Sequence, residues 1–262
     1  MLYAVTHGHG PVTRAATAMA DLRAAADLFG AVWGRNDEGV PIGSEMLRSL
    51  AHADGLVTLL EDDAGTLLGA AVLGRARPGS AYSYIAATAP GHGQQGLGGL
   101  LKQHQRAWCL ERDIATLTWT FDPLVGRNAR FNLTKLGAVV DTYEPDFYGV
   151  MSDQINGTDP ADRLVARWTL ADPGPRPEPP EPAMSGGGIT GPDGQTAYVR
   201  TDGGRWVRVP SDIVALRRTD ASEASAWRAA TREWFTDAFG AGFAAVGVTR
   251  TGWYHLTPRK LS

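Results

Sequence analysis

The sequence predicts an α/β fold built on a sheet of mixed strand direction, and three observations carry that expectation. Two stretches with apolar residues at helical spacing come first. A run of short strands joined by tight turns follows. A glycine-rich loop then feeds an amphipathic helix, and a further apolar strand comes after it, which is the pattern of a crossover.

Each element has its own signal. "AMADLRAAADLFGAVWG" sets Met19, Leu22, Ala26, Phe29 and Val32 near helical spacing, with Gly34 as the stop. "SEMLRSLAHADG" offers a second helix, capped by Ser44 and ended at Gly55. "LVTLLEDDAGTLLGAAVLGR" reads as two strands around an Asp63-Ala64-Gly65 turn, and "YSYIAATAP" as a third strand halted at Pro90. The loop "GHGQQGLGG" and its helix come next, followed by the strand "IATLTWTF". "GRNARFNLTKLG" is a short helix ending at Gly137, and "AVVDTYEPDFYGVM" a further strand or pair. Near the C-terminal end, "TAYVRTDGGRWVRVP" is a hairpin through Asp202-Gly203-Gly204. A long helix, "DASEASAWRAATREWFTDAFGAG", leads into the short strands "FAAVGVTR" and "WYHLTP".

The stretch Ala171–Gly194, "ADPGPRPEPPEPAMSGGGITGPDG", breaks this pattern. Its prolines hold an extended chain and its glycines loosen it, so it reads as a linker or long surface loop. The expected organisation is a domain over 1–170, a linker over 171–194 and a small α/β unit over 195–262.

Bulk properties narrow the function. The 262 residues carry a formal charge of −3, which argues against a nucleic-acid binder or a polybasic membrane protein. No apolar run approaches the roughly 20 residues of a membrane span. The segment "MLYAVTHGHGPVTR" lacks a basic stretch followed by a long apolar one, so no signal peptide is expected. Cys109 is the single cysteine, which excludes an internal disulfide and a thiolate zinc cluster. His7 and His9 read as a terminus rather than a metal site, and the sequon at Asn156 carries no weight in a cytoplasmic protein. No metal is expected.

Glycine at a helix start costs backbone entropy and helix propensity. Close approach of an anion to unpaired N–H groups would offset that cost. A P-loop needs Lys-Ser or Lys-Thr after its last glycine, whereas Gly98-Gly99 runs into Leu100-Leu101. "GHGQQG" matches GxGxxG, but its strand comes from a meander rather than opening a βαβ unit.

The loop is similar to that of the GNAT superfamily of CoA-dependent N-acyltransferases, whose pyrophosphate loop has the form Q/R-x-x-G-x-G/A. Gly93-Gln94-Gln95-Gly96-Leu97-Gly98 fits its glycines, with Gly93 in place of the leading Gln or Arg. The resemblance runs from about Ala18 to Leu170. "WTFDPL", "RNA", "NLTKLGA", "YG" and "DRL" also resemble a little-characterised bacterial subgroup, some of whose relatives are linked with racemases of N-acyl amino acids. The resemblance implies a mostly antiparallel sheet whose fourth and fifth strands splay apart around the pantetheine arm. It implies acetyl-CoA or another acyl-CoA as co-substrate, and a small-molecule amine or amino acid as acceptor.

Carried onto this chain, it places the diphosphate on the N–H groups of Gln94, Gln95, Gly96, Leu97, Gly98 and Gly99. Ala86, Ala87 and Ala89 let the thioester lie against the fourth strand, where an N–H near Ile85 to Ala87 polarises the carbonyl. Asn128 sits where the family touches the CoA arm, and His92 could meet a phosphate. The family's tyrosine acid falls at Leu133, so Tyr143 and Tyr148 are the substitutes. Asp122, after the fifth strand, is the first choice of base; Glu61, Asp141 and Glu144 rank behind it. Trp227, Trp234 and Phe235 on one helix suggest a cap over the acceptor or a homodimer face. Two other readings stay open: a non-catalytic CoA-binding or scaffolding module, and a nucleotide-binding oxidoreductase.

Overall fold

The computed structural model describes residues 10–34, 40–92, 95–149, 160–172, 174–183 and 187–259. The chain divides into two compact units, residues 1–118 and 119–262.

The first unit contains β1 (Val12–Ala15), α1 (Met19–Trp33), α2 (Ser44–His52), β2 (Leu56–Glu61), β3 (Leu67–Arg75), β4 (Ser80–Thr88), α3 (Leu97–Leu110) and the start of β5 (Thr116–Phe121). Its strands lie in the order β1-β2-β3-β4-β5. The first four are antiparallel, and β5 joins β4 in parallel. This is the mixed, mostly antiparallel sheet that the sequence predicts.

Both faces of the sheet are covered, which explains why Leu56 to Leu60 of β2 are all buried instead of alternating. On one face, Leu22 and Phe29 of α1 and Leu47 of α2 pack with Val57, Leu59, Ala70, Val72 and Ala87. On the other, Leu97 and Leu101 of α3 pack with Leu60, Leu68 and Ala71. Burying side chains such as Leu22 and Phe29 fully contributes about 1.5–3 kcal/mol each, so these faces hold the unit together.

Local chemistry fixes the ends of the elements. Gly34 ends α1 with φ of 92°, in the left-handed region that glycine tolerates. The cap of α2 is Gly43; Ser44, expected there, lies inside the first turn and makes no capping bond. Between β2 and β3, Asp62 accepts hydrogen bonds from Ala64 N at 3.0 Å and Thr66 N at 2.8 Å, an Asx turn. At Gly55 a Cβ would stand 2.7 Å from Leu50 O and 2.8 Å from Leu73 O, so no larger residue fits.

The second unit contains the end of β5, α4 (Gly126–Arg130), a π turn at Phe131–Lys135, β6 (Val139–Glu144), β7 (Arg163–Thr169), β8 (Ile189–Thr190), β9 (Thr196–Arg200), β10 (Arg205–Arg208), α5 (Ile213–Thr219), α6 (Ala221–Gly240), β11 (Phe243–Val248) and β12 (Trp253–Pro258). Its strand order is β7-β6-β11-β12-β10-β9-β8. The segment 195–262 joins this sheet through β11, where Ala245 pairs with Val140 of β6.

The helix α6 buries its aromatic side. Trp227 and Phe235 are fully buried; Trp234 stacks on Tyr198, and Phe235 meets Tyr254 edge-on. The aromatic residues read as a dimer face or acceptor cap are therefore core residues of their own unit, consumed by burial. The proline-rich stretch also lies against this unit. Arg176 N donates to Thr134 O, Glu178 pairs with Arg130, and Trp206 Nε1 donates to Pro180 O.

Candidate active site

Strand β4 carries the first part of the site. Its ladder with β5 covers Ser80↔Thr116, Ala81↔Leu117 and Tyr82↔Thr118 and stops there, although β4 continues to Thr88. On its other edge the register skips from Val72↔Ile85 to Leu73↔Ser83, leaving Tyr84 as the extra residue of a β-bulge. A bulge bends its strand and increases the local twist, so β4 turns away where the parallel ladder ends. The family resemblance implies that the fourth strand departs from the fifth; the ladder between them ends here at Tyr82↔Thr118.

The bulge also sorts the backbone donors. Ala89 N donates to Leu68 O on β3 at 2.8 Å. Strand period two then turns the N–H groups of Ala87 and Ile85 toward β3, and those of Ala86 and Thr88 toward the opposite edge. Of the three alanines, Ala86 thus offers an outward donor with an exposed, minimal side chain. Ala87 is buried against α1 and α2, and Ala89 packs beside it, so these two are core residues with inward N–H groups.

The glycine loop leads from β4 to α3. Gly96 is the N-cap of α3 with φ of 75°, a left-handed conformation that disfavours any side chain. Leu97 and Gly98 open the helix, so their N–H groups have no acceptor within it. Gly99 N turns back to Gly96 O at 2.9 Å. A Cβ at Gly96 or Gly99 would meet nothing within 4 Å, which leaves this backbone open to a ligand. Leu97 itself points inward and is buried, so only its backbone can take part. His92 Nδ1 lies 3.4 Å from Gln95 Oε1. Gln94 lies outside the described residues, as do Gly93, His7, His9 and the sequon at Asn156.

The second unit holds the groups expected to move protons, and it treats them differently. Asp122 is buried and accepts two hydrogen bonds from Arg228, at 2.8 and 2.9 Å, and one from Arg217 at 2.7 Å. Burial works to raise its carboxyl, but the charges and hydrogen bonds of Arg228 and Arg217 outweigh it and hold the group far below the usual carboxylate range. Its Oδ1 also accepts from Leu124 N at 2.9 Å. A carboxylate so satisfied is a poor proton acceptor, and its geometry is that of an anchor between the end of β5 and the helices α5 and α6.

Tyr143 donates to Asp162 Oδ2 at 2.6 Å. Burial, then that hydrogen bond, pushes its phenol well above the usual range. Asp162 in turn is held by Arg232 through two bonds of 2.6 and 2.9 Å. Tyr143 is therefore locked as a donor to a carboxylate. Tyr148 is the contrast: half-exposed, its Oη stands 3.1 Å from Thr120 Oγ1 on β5, with the Arg163 guanidinium 5.2 Å over its ring.

Leu133 is fully buried in the π turn, so no proton donor stands at that position. Asn128 is exposed on the third residue of α4 and is not a helix cap. Of the weaker base candidates, Glu61 is bound to Arg14 at 2.7 Å and Asp141 to Arg167 at 3.1 Å. Sequence reasoning missed Arg217 and Arg228 altogether, because 95 and 106 positions separate them from Asp122.

Comparison with known proteins agrees with this geometry. Residues 4–129 match the family described as "Acetyltransferase (GNAT) domain". The ribosomal-protein-S18-alanine N-acetyltransferase from Escherichia coli superposes with a TM-score of 0.50 at 16% identity, over 61% of this chain and 94% of that one. The protein yncA from Salmonella typhimurium, solved with its cofactor acetyl-CoA, gives a TM-score of 0.50 at 18% identity, over 66% of this chain and 98% of that one. None of the curated proteins matches the chain. Over residues 4–129, just under half of the chain, the sequence is thus similar to that family, and both structures share the fold.

Proposed function

We propose that this acetyltransferase, whose co-substrate is acetyl-CoA, moves an acetyl or other short acyl group to the amine of a small molecule or amino acid by direct attack. One observation carries the reading: a left-handed glycine cap opens α3 after a strand that is bulged at Tyr84 and whose parallel ladder, among the described residues, ends at Tyr82. The helix start supplies bare N–H groups and a positive dipole end for the CoA diphosphate. The outward N–H of Ala86 is the proposed donor to the thioester oxygen, which becomes negative when the amine attacks.

The transfer needs a neutral amine, a polarised carbonyl and a route for the departing thiolate to gain a proton. Tyr148 is the proposed acid for that last step, since among the described residues its hydroxyl meets Thr120 rather than a carboxylate. Water serves as base, because Asp122 is engaged by two arginines. We place the protein in the cytoplasm; among the described residues no helix is long and apolar enough to cross a membrane.

Thiol release from acetyl-CoA and succinyl-CoA across a panel of amines and amino acids tests the reading, alongside calorimetry of CoA binding. Amine-dependent release is expected. A second reading, a CoA-binding module without catalysis, is favoured by the apolar Leu133 and the neutralised Asp122. Tight CoA binding with no release on any amine would select it.

A further inference from the structure

A polar cluster lies between α3 and β4, where core packing alone calls for apolar side chains. Lys102 is only 5% exposed, and its Nζ donates to Ser83 Oγ at 3.0 Å. Ser83 Oγ donates in turn to Gln105 Oε1 at 3.1 Å, and Gln105 Nε2 is buried without an acceptor among the described residues. Leu101 and Cys109 of the same helix are fully buried. A lysine and an orphaned amide donor in such surroundings weaken the fold, and costs of this kind concentrate at functional sites.

The position of Ser83 in β4 is informative. It follows Tyr82, the last residue of the parallel ladder, and precedes Tyr84, the bulged residue. Three residues further along the strand, Ala86 presents its outward N–H. The cluster therefore sits under the bend that opens the strand edge proposed to receive the thioester.

We propose that Lys102, acting through Ser83, is a positioning residue for acyl transfer, its ammonium stabilising the negative charge that develops on the acyl group at the bulged edge of β4. This rests on the reading that acyl-CoA binds along that edge. In the step itself the amine nitrogen bonds to the carbonyl carbon, and the C=O electron pair moves to oxygen. Its return expels the CoA thiolate as the C–S bond breaks. The new amide nitrogen loses a proton to water and the thiolate gains one. Lys102 keeps its proton throughout and contributes charge alone.

Burial lowers the Lys102 ammonium to about 7, so it is half charged at neutral pH, fully charged below it and neutral above it. Other ionisable groups on α3 and the strands packed against it have their own settings. Cys109 on the same helix is pushed up to about 11 by burial. His104 is bonded to Thr58 on β2, Arg14 of β1 is paired with Glu61 of β2, and Arg75 of β3 with Asp54. Arg106 lies on α3 and Glu111 at its end, while β4 supplies Tyr82 and Tyr84.

The test is steady-state kinetics with acetyl-CoA and an accepted amine, for wild type, Lys102→Met and Ser83→Ala. Lys102→Met is expected to lower kcat about tenfold with KM for acetyl-CoA within about twofold. It should also erase a falling limb of the kcat–pH profile that begins near neutrality, while raising the thermal midpoint. Ser83→Ala should lower kcat less and move that limb to lower pH, because the ammonium loses a hydrogen-bond acceptor. Unchanged kcat and an unchanged profile in Lys102→Met would overturn the proposal, as would a kcat loss matched by lost stability. Should Lys102→Met fail to fold, Ser83→Ala decides in the same way. A wild-type protein that turns over no amine would sink the functional reading and this inference with it, and the variants are not needed to see that.

Discussion

Gly99→Glu separates anion binding from folding, because the two respond to it with opposite signs. Gly99 is the third residue of α3, has no positive φ, and offers a Cβ open space to 4 Å. Replacing glycine by glutamate there improves helix propensity by roughly 0.5 kcal/mol. A carboxylate in the first turn adds about 0.3–1 kcal/mol through the helix dipole. The apo protein should therefore gain on the order of 1 kcal/mol, a rise of about 3 °C in Tm. The diphosphate meets the reverse. A carboxylate about 6 Å from one phosphate charge, at an effective dielectric of about 20, is repelled by about 2–3 kcal/mol. Acetyl-CoA affinity should fall roughly 30- to 150-fold. Calorimetric titration beside a thermal melt reads both quantities, and Gly99→Gln controls for bulk without charge. Unchanged affinity in the glutamate variant, or a loss equal in both variants, would refute the electrostatic reasoning.

Other outcomes follow from the same structure. Asp122→Ala leaves Arg228 buried without its carboxylate and should cost about 3–5 kcal/mol of stability, visible in a denaturant melt; a loss under about 1 kcal/mol would mean the pair is not an anchor. Tyr148→Phe should lower kcat about a hundredfold if the hydroxyl protonates the thiolate, with KM for acetyl-CoA unchanged; an unaltered kcat assigns that proton to water. The pH dependence of stability has a definite sign at Lys102. Its folded pKa, about 7, lies below the unfolded value of about 10.4, so the unfolded chain binds more protons between them and stability should rise from pH 7 to about 10.4. Lys102→Met should flatten that rise in urea melts taken across the window, and an identical slope would contradict the assignment.

What could be read from the sequence was what depends on neighbours along the chain. The spacing of Leu22, Ala26 and Phe29 set the buried side of α1, and the glycines at 96 and 98–99 marked the helix opening where Gly96 now caps α3. What escaped depends on distant partners or single-residue insertions. The four residues of β1 are too few and too mixed in burial to stand out. The bulge at Tyr84 shifts register without altering composition, so alternation alone could not find it. The proline-rich stretch reads as a spacer from composition, yet Glu178, Pro180 and Arg176 find partners far along the chain. Asp122 looked like a base because it follows a strand beside the expected cleft. Its arginines come from α5 and α6, and only folding reveals that they neutralise it.

The most direct test of the central claim compares acetyl-CoA with acetyl-pantetheine by isothermal titration. The two share the thioester arm and differ in the diphosphate and nucleotide. Tight binding of acetyl-CoA, with acetyl-pantetheine weaker by at least about a hundredfold and with further loss at high salt, is expected if the α3 helix start grips the diphosphate. Equal affinity for the two, or binding of neither, would contradict it.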